Sequence, residues 1–263
     1  TANRTVDSII DYFGEDVDVT YETIDGVTYT VYTLNTNKTI TENTELSIEH
    51  NVIFDGNNHT ITYTGSSEWE GLFYVVSGTD ANKMTFTVQN INFVLNGADI
   101  ANYCGGIIKG IGVQDVSGYD DNTFTEYTDI TILNCHISSE NSKVIGSKAG
   151  GIVGLGFCNG TDEVGTITNC SNTLGISGNA GGICGRIVAN TTITYCWNEG
   201  SLSSGSGGIC GQAAGKFGDP IIIKYCYNKG TLGGAYSGGI CGRYSSGVNI
   251  FNCYNTGNGN GST

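Results

Sequence analysis

The chain has a single proline, three arginines and no apolar run approaching the length of a membrane helix, and each shortage excludes something. With one Pro among 263 residues, backbone ladders can run uninterrupted, because proline removes the donor that a ladder needs. The 11 Lys and Arg stand against 25 Asp and Glu, a formal net charge of −14. Neither nucleic acid nor an anionic membrane surface is therefore expected as a partner, since both need a basic face. Without about 18 consecutive apolar residues, no membrane insertion is expected. Helical repeats are excluded as well, because from 180 to 257 no run of about ten residues escapes a Gly, an Asn or a β-branched cluster. Nor is there a Cys-x-x-Cys pair of the kind that zinc sites use.

What the chain does have is repetition. Ala180-Gly-Gly-Ile-Cys-Gly-Arg186 precedes Thr192-Ile-Thr-Tyr-Cys-Trp-Asn-Glu-Gly200. The pattern returns as Ser206-Gly-Gly-Ile-Cys-Gly-Gln212 with Ile222-Ile-Lys-Tyr-Cys-Tyr-Asn-Lys-Gly230. It returns again as Ser237-Gly-Gly-Ile-Cys-Gly-Arg243 with Asn249-Ile-Phe-Asn-Cys-Tyr-Asn-Thr-Gly257. The doublet glycine falls at 181, 207 and 238 and the second cysteine at 196, 226 and 253, spacings of 26 to 31 residues. Such periods mark a repeat architecture. Each period holds about three short β-prone segments punctuated by Gly and Asn. Three short strands per turn describe one coil of a parallel β-helix, with coils stacked at roughly 4.8 Å so that equivalent residues form columns.

Fainter copies lie upstream. Ala149-Gly-Gly-Ile-Val-Gly154 and Thr168-Asn-Cys-Ser-Asn172 make one, and Cys104-Gly-Gly-Ile-Ile108 with Leu133-Asn-Cys-His136 another. The fold class expected is thus all-β: a right-handed parallel β-helix, or solenoid, with a short helix-plus-hairpin N-terminal cap. The cap is assigned to 1–37, where Val6, Ile9, Ile10 and Phe13 share a helical face before Gly14 and Asp25-Gly26 signals a type I′ hairpin. Laid over an open coil end, it would block edge-to-edge association. The coils occupy 38–257 and 258–263 reads as a flexible tail or linker. The chain opens on Thr1 rather than Met, so removal of a leader, or trimming of a longer chain, is expected.

Ten cysteines suit a disulfide scaffold in a secreted protein, but their positions are locked to the repeat. Cys184, Cys210 and Cys241 share one column and Cys135, Cys170, Cys196, Cys226 and Cys253 another. Stacked neighbours with parallel Cβ vectors at about 4.8 Å are poorly placed for a disulfide, which needs about 3.8 Å. Inward ladders of reduced thiols are the expectation. Two residues on, Asn172, Asn198, Asn228 and Asn255 predict a side-chain amide ladder at a corner where Asn tolerates left-handed backbone. Between Cys and Asn, Trp197, Tyr227 and Tyr254 point outward as an aromatic stripe. The stripe is either a platform for sugar rings or cross-coil stacking alone.

Insertions leave one corner of the coil, where solenoids commonly place a binding face. The longest carries Tyr119, Phe124 and Tyr127, candidate ligand contacts. Asp115, Asp120 and Asp121 from that loop, with Asp162 and Glu163 from the next, either converge on a hard cation such as Ca²⁺ or form a solvated acidic edge. Apart from structural Ca²⁺, no cofactor is expected.

The pattern at 181–200, 207–230 and 238–257 resembles the GLUG-type repeats of bacterial surface proteins, with a lead-in at Phe54-Asp-Gly-Asn-Asn-His-Thr-Ile61 and Gly71-Leu-Phe73. The resemblance implies an extracellular, secreted or surface-anchored, adhesin-like stalk of pectin-lyase-like solenoid architecture. It carries no shared catalytic residues. The rival is a polysaccharide lyase or glycoside hydrolase of the β-helix type. Against it, Asp120-Asp121 alone echoes the acidic set of the hydrolases. Arg186 and Arg243 share a column with Gln212 between them, and His50, His59 and His136 stand apart from one another. A flat Thr-x-Thr array of the ice-binding kind is reduced to pieces such as Thr192-Ile-Thr194. The reading is a non-catalytic module whose partner is a glycan or a host or neighbouring-cell surface protein.

Overall fold

Three parallel ladders, laid down by the sequence repeat, organise the chain. The computed structural model describes residues 7–43, 46–76, 78–110, 127–158, 162–215 and 220–259. These residues are built of β-strand, bridges and turns, with one α-helix of six residues, Ser8–Phe13, and a 3-10 turn at Gly14–Asp16. No helix among them is long and apolar enough to cross a membrane.

The helix starts because Asp7 accepts hydrogen bonds from the amides of Ile9 at 3.0 Å and Ile10 at 3.3 Å, satisfying donors that the first turn cannot. It stops at Gly14, whose φ is 58°. Ile9 and Phe13 are buried, and the Phe13 ring meets Phe54 at 5.5 Å. Ile10, expected on the same face, is 40% exposed; Asp7 takes the cap position, and Val6 lies outside the described residues. Strands Val17–Ile24 and Val27–Leu34 form the antiparallel hairpin, with Ile24 opposite Val27 across Asp25 and Gly26. Both turn residues have positive φ, 50° and 83°, as a type I′ turn requires.

The second hairpin strand is itself a rung. It pairs in parallel with Val52–Asp55, and the ladder continues through Met84–Leu95, Thr128–Ser138, Gly165–Thr168, Thr191–Thr194, Ile221–Lys224 and Val248–Phe251. Every pairing of this ladder from Val27–Leu34 onward is parallel and in register. One side-chain position therefore reads Tyr32, Phe54, Val88, Ile132, Ile167, Ile193, Ile223, Ile250 down the ladder.

A second ladder carries Ile61, Phe93, Ile137, Asn172, Asn198, Asn228 and Asn255 in one position. The third side is made of short pairs and single bridges. Phe73, Ile108, Val153, Cys184, Cys210 and Cys241 follow one another there, as do Trp69, Ile100, Ile145, Ile176, Leu202 and Leu232. Asn258 and Gly259 extend the latter column, the Leu232 amide donating to Asn258 O at 2.9 Å.

The interior tapers. Near the helix it is filled by Trp69, Tyr63 and Phe54, Phe73, Phe86 and Phe93; farther on, the same positions hold Ile, then Cys and Asn. Cysteine appears where the section left for a side chain is that of a small hydrophobe. Glycine doublets make the tight corner. A Cβ on Gly181, Gly207 or Gly238 would sit 2.0, 1.9 and 1.9 Å from a carbonyl oxygen three residues on, which no side chain survives. The far end is uncovered: Ile223 is completely buried, whereas Ile250 is 46% exposed at the same position one rung later. Phe251 and Tyr254 are also exposed there.

Candidate functional site

The site is assembled at the bend between Thr191–Thr194 and Trp197–Asn198 and its copies. The residue before each ladder cysteine takes left-handed backbone, with φ 51° at Asn134, 55° at Asn169, Tyr195 and Tyr225, and 52° at Asn252. Left-handed geometry therefore sits at this position. The Asn of the amide ladder, where the sequence placed it, lies in extended strand instead. The bend turns the cysteine inward and both its neighbours outward, although Ser171, beneath His136, is buried. Where that neighbour is Asn, an outer ladder forms: Asn169 donates to Asn134 at 2.8 Å, Asn134 to Asn90 at 2.9 Å, and Asn90 to Asp55 at 3.0 Å.

Where the outer residues are aromatic, they stack, because in-register parallel pairing sets identical rings one strand spacing apart. Trp197 and Tyr227 have ring centroids 6.0 Å apart at 12°, and Tyr227 and Tyr254 5.1 Å apart at 9°. The predicted stripe is present. Beside it runs a second column, Tyr195 on Tyr225, at 5.1 Å and 11°. The sequence signal for this column was the Tyr before Cys in two consecutive repeats, residues whose outward direction depends on the left-handed bend. His136, read as isolated, joins the stripe: its ring lies 5.4 Å from Trp197 and its Nδ1 is 2.9 Å from Ser171 Oγ. Near-parallel rings at these distances are offset stacks. Each covers part of its neighbour's face and shows solvent mostly edges, with Tyr254 54% exposed.

Behind the stripe lies a polar interior column. Asn172 donates to Asn198 Oδ1 at 2.7 Å, Asn198 to Asn228 at 2.7 Å, and Asn228 to Asn255 at 2.6 Å. Each amide also bridges its own chain: Asn198 Nδ2 reaches Gly200 O at 2.7 Å while the Gly200 amide returns to Asn198 Oδ1 at 3.2 Å. Donors and acceptors of a buried group are thereby used.

All ten cysteines are free thiols. The amides of Cys170, Cys196 and Cys226 each donate to the next ladder sulfur at 3.4 Å. Burial pushes the thiols of Cys135, Cys158, Cys196 and Cys210 well up from their ordinary value. Neutral thiols under those conditions are poor nucleophiles.

A groove of about 270 Å³ opens at the next corner along the same strands, lined by Ser139, Ser142, Lys143, Thr173, Glu199 and Ser201 among others. Glu199 follows Trp197 by two residues, with Asn198 turned inward between them. Its carboxylate is held by Lys229 at 3.0 Å.

The other predicted positions separate. Tyr119, Phe124, Asp115, Asp120 and Asp121 lie outside the described residues. Tyr127 is half-buried, and its carbonyl accepts from the Met84 amide at 2.9 Å. Asp162 is exposed but Glu163 is buried, 3% exposed; the acidic edge read from the sequence does not include it. Among the described residues, no three His, Cys, Asp or Glu side chains come together as a metal site. Arg186 and Gln212 are buried, and the Arg243 guanidinium lies 5.2 Å from the Tyr244 ring centroid.

No protein-family model matches the chain, and no curated protein matches it. Among solved structures, it is similar to a "putative immunoglobulin A1 protease" from Bacteroides ovatus, with 22% identity and a TM-score of 0.57. The match covers 86% of this chain and 68% of that one. At that identity the likeness concerns fold alone.

Proposed function

We propose that this chain is a non-catalytic, adhesin-like module of a secreted or surface-anchored protein, wound as a right-handed parallel β-helix of GLUG-type repeats. It serves as a stalk whose outward aromatic face binds a glycan or a surface protein of another cell. The in-register parallel columns support the winding, and parallel crossovers in one sheet are right-handed in about 98% of cases. The function rests on one observation: aromatic rings line up in two outward columns on a single face, with Tyr195, Tyr225 and Tyr254 exposed and Trp197 and Tyr227 half-buried, where rigid amphipathic surface is available at little entropic cost. Among the described residues, the buried Arg186 and Gln212, the histidines on separate partners (His50 on Thr30, His59 on Asn37, His136 on Ser171) and the burial-raised thiols of Cys135, Cys158, Cys196 and Cys210 do not assemble an acid, a base and a nucleophile.

A glycan and surface-protein array probed with the whole chain tests the reading. Binding lost in Trp197→Ala, in a variant that stays folded and gives up only the cost of the lost stacks on His136 and Tyr227, is the expected result. Turnover of an acidic polysaccharide that disappears in Arg186→Ala would replace the adhesive reading with the lyase or hydrolase alternative.

A further inference from the structure

The groove beside the stripe has a chemistry of its own. We infer that it is a subsite for one carboxylate-bearing sugar unit, with Lys143 as the counter-charge. This rests on the glycan-binding reading above and specifies which glycan.

Size comes first. At about 270 Å³ the groove is just below the roughly 300–1,000 Å³ of sites for drug-sized ligands, which suits a single ring rather than a peptide segment. Its walls are hydroxyls and backbone. Ser142, Thr173 and Ser201 make no side-chain hydrogen bond to the protein among the described residues. Ser139 Oγ only accepts, from the amides of Asn141 at 3.0 Å and Lys143 at 3.5 Å, so its proton is free to donate. Four hydroxyls open to exchange are what a ring of hydroxyls can pair with.

Charge then selects within sugars. Lys38, Lys83, Lys109 and Lys229 each pair with a carboxylate. Lys148 reaches the Tyr103 hydroxyl at 3.3 Å and Lys224 lies over the Phe251 ring. Lys143 has no carboxylate partner among the described residues, in a chain of net charge −14. The only carboxylate lining the groove among the described residues, Glu199, is already offset by Lys229 at 3.0 Å. Lys143 is therefore the cation in the wall of the groove whose charge stays unmatched by a carboxylate among the described residues. Glu140, next to Ser139, is not part of its wall and accepts from Asn96 Nδ2 at 2.9 Å. A sugar carboxylate at Lys143 would place its ring hydroxyls against Ser142, Thr173 and Ser201 and its next unit toward Trp197.

The whole chain is titrated calorimetrically with trigalacturonic acid, a neutral galactose trimer and a sulfated trimer, in low and moderate salt. Binding of the uronate, at least tenfold weaker for the neutral trimer, for Lys143→Gln and at raised salt, is expected. Thr173→Val with Ser201→Ala should weaken it severalfold without moving the melting temperature. Preference for the sulfated trimer, or uronate binding untouched by Lys143→Gln, overturns the subsite while the adhesive reading stands. Array binding confined to proteins also overturns the subsite, and failure to attach to anything overturns both.

Discussion

Asn198 donates through Nδ2 to Asn228 Oδ1 at 2.7 Å, with both side chains completely buried. An amide at that depth is tolerated because it also closes a local bridge to Gly200. Removing it leaves partners on both neighbouring rungs and on its own chain without a bond, each costing about 1–3 kcal/mol. Asn198→Ala is therefore expected to destabilise the fold by about 3–4 kcal/mol in urea denaturation. Asn255→Ala, at the exposed last rung, should cost about 1 kcal/mol. Equal effects at the two positions would mean that the ladder is not cooperative along its length.

The thiols should react in an order set by burial. Cys241 and Cys253 are half-buried and the other eight cysteines are buried. In native protein a maleimide is expected to label Cys253 and Cys241 first, and the rest only as denaturant is added. Non-reducing mass spectrometry after thiol blocking should recover ten blocked cysteines. Recovery of five disulfides would reverse the assignment.

The same burial makes stability fall in alkali. Burial raises the Cys104 pKa from 9.0 to about 11, and Cys158 and Cys210 also lie well above the ordinary value. A group whose folded pKa is raised contributes its full stability below the unfolded value and loses it as pH climbs toward the folded one. Unfolding free energy should be level from pH 6 to 8. It should then drop from about pH 9 to 11, with a slope of about 1.4 kcal/mol per pH unit for each such thiol. Guanidinium titrations at pH 7, 9 and 10 measure it.

Tyr225 occupies left-handed backbone with φ 55° in the column that holds Asn134, Asn169 and Asn252. Asparagine adopts that region readily, while a β-branched residue there pays about 1–2 kcal/mol. Tyr225→Asn is expected to shift stability by less than about 1 kcal/mol, the lost stack on Tyr195 being offset by relieved backbone. Tyr225→Val should cost about 2 kcal/mol or more. Near-identical melting of the two variants would show that the bend is not what the position demands.

Amide exchange should follow the ladder. Ile193 and Ile223 are completely buried between rungs, whereas Ile250 is 46% exposed with one neighbour strand. Protection is expected to be highest through Thr191–Thr194 and Ile221–Lys224 and to collapse across Val248–Phe251. Uniform protection through the last strand would indicate that this end is covered in solution.

The sequence by itself determined the columns. Each repeat touches only its neighbours, so a period of 26 to 31 residues with Cys, Asn and Ile at fixed offsets dictates in-register parallel pairing. Period-2 alternation then sends Cys196 in and Trp197 out. What only the tertiary structure decided depends on corners and ends, where periodicity is broken. The bend falls on Tyr195 rather than Asn198, which adds the Tyr195–Tyr225 column to the face. Glu163 turns inward beside the exposed Asp162, and His136 meets Trp197 across two repeats of different length. Lys143 faces a groove because the chain between Ser139 and Val144 turns back there, and Ser142 has a φ of 52°. Directions set by single backbone reversals are local choices that differ by only about 1–2 kcal/mol per residue, and no periodic signal records them.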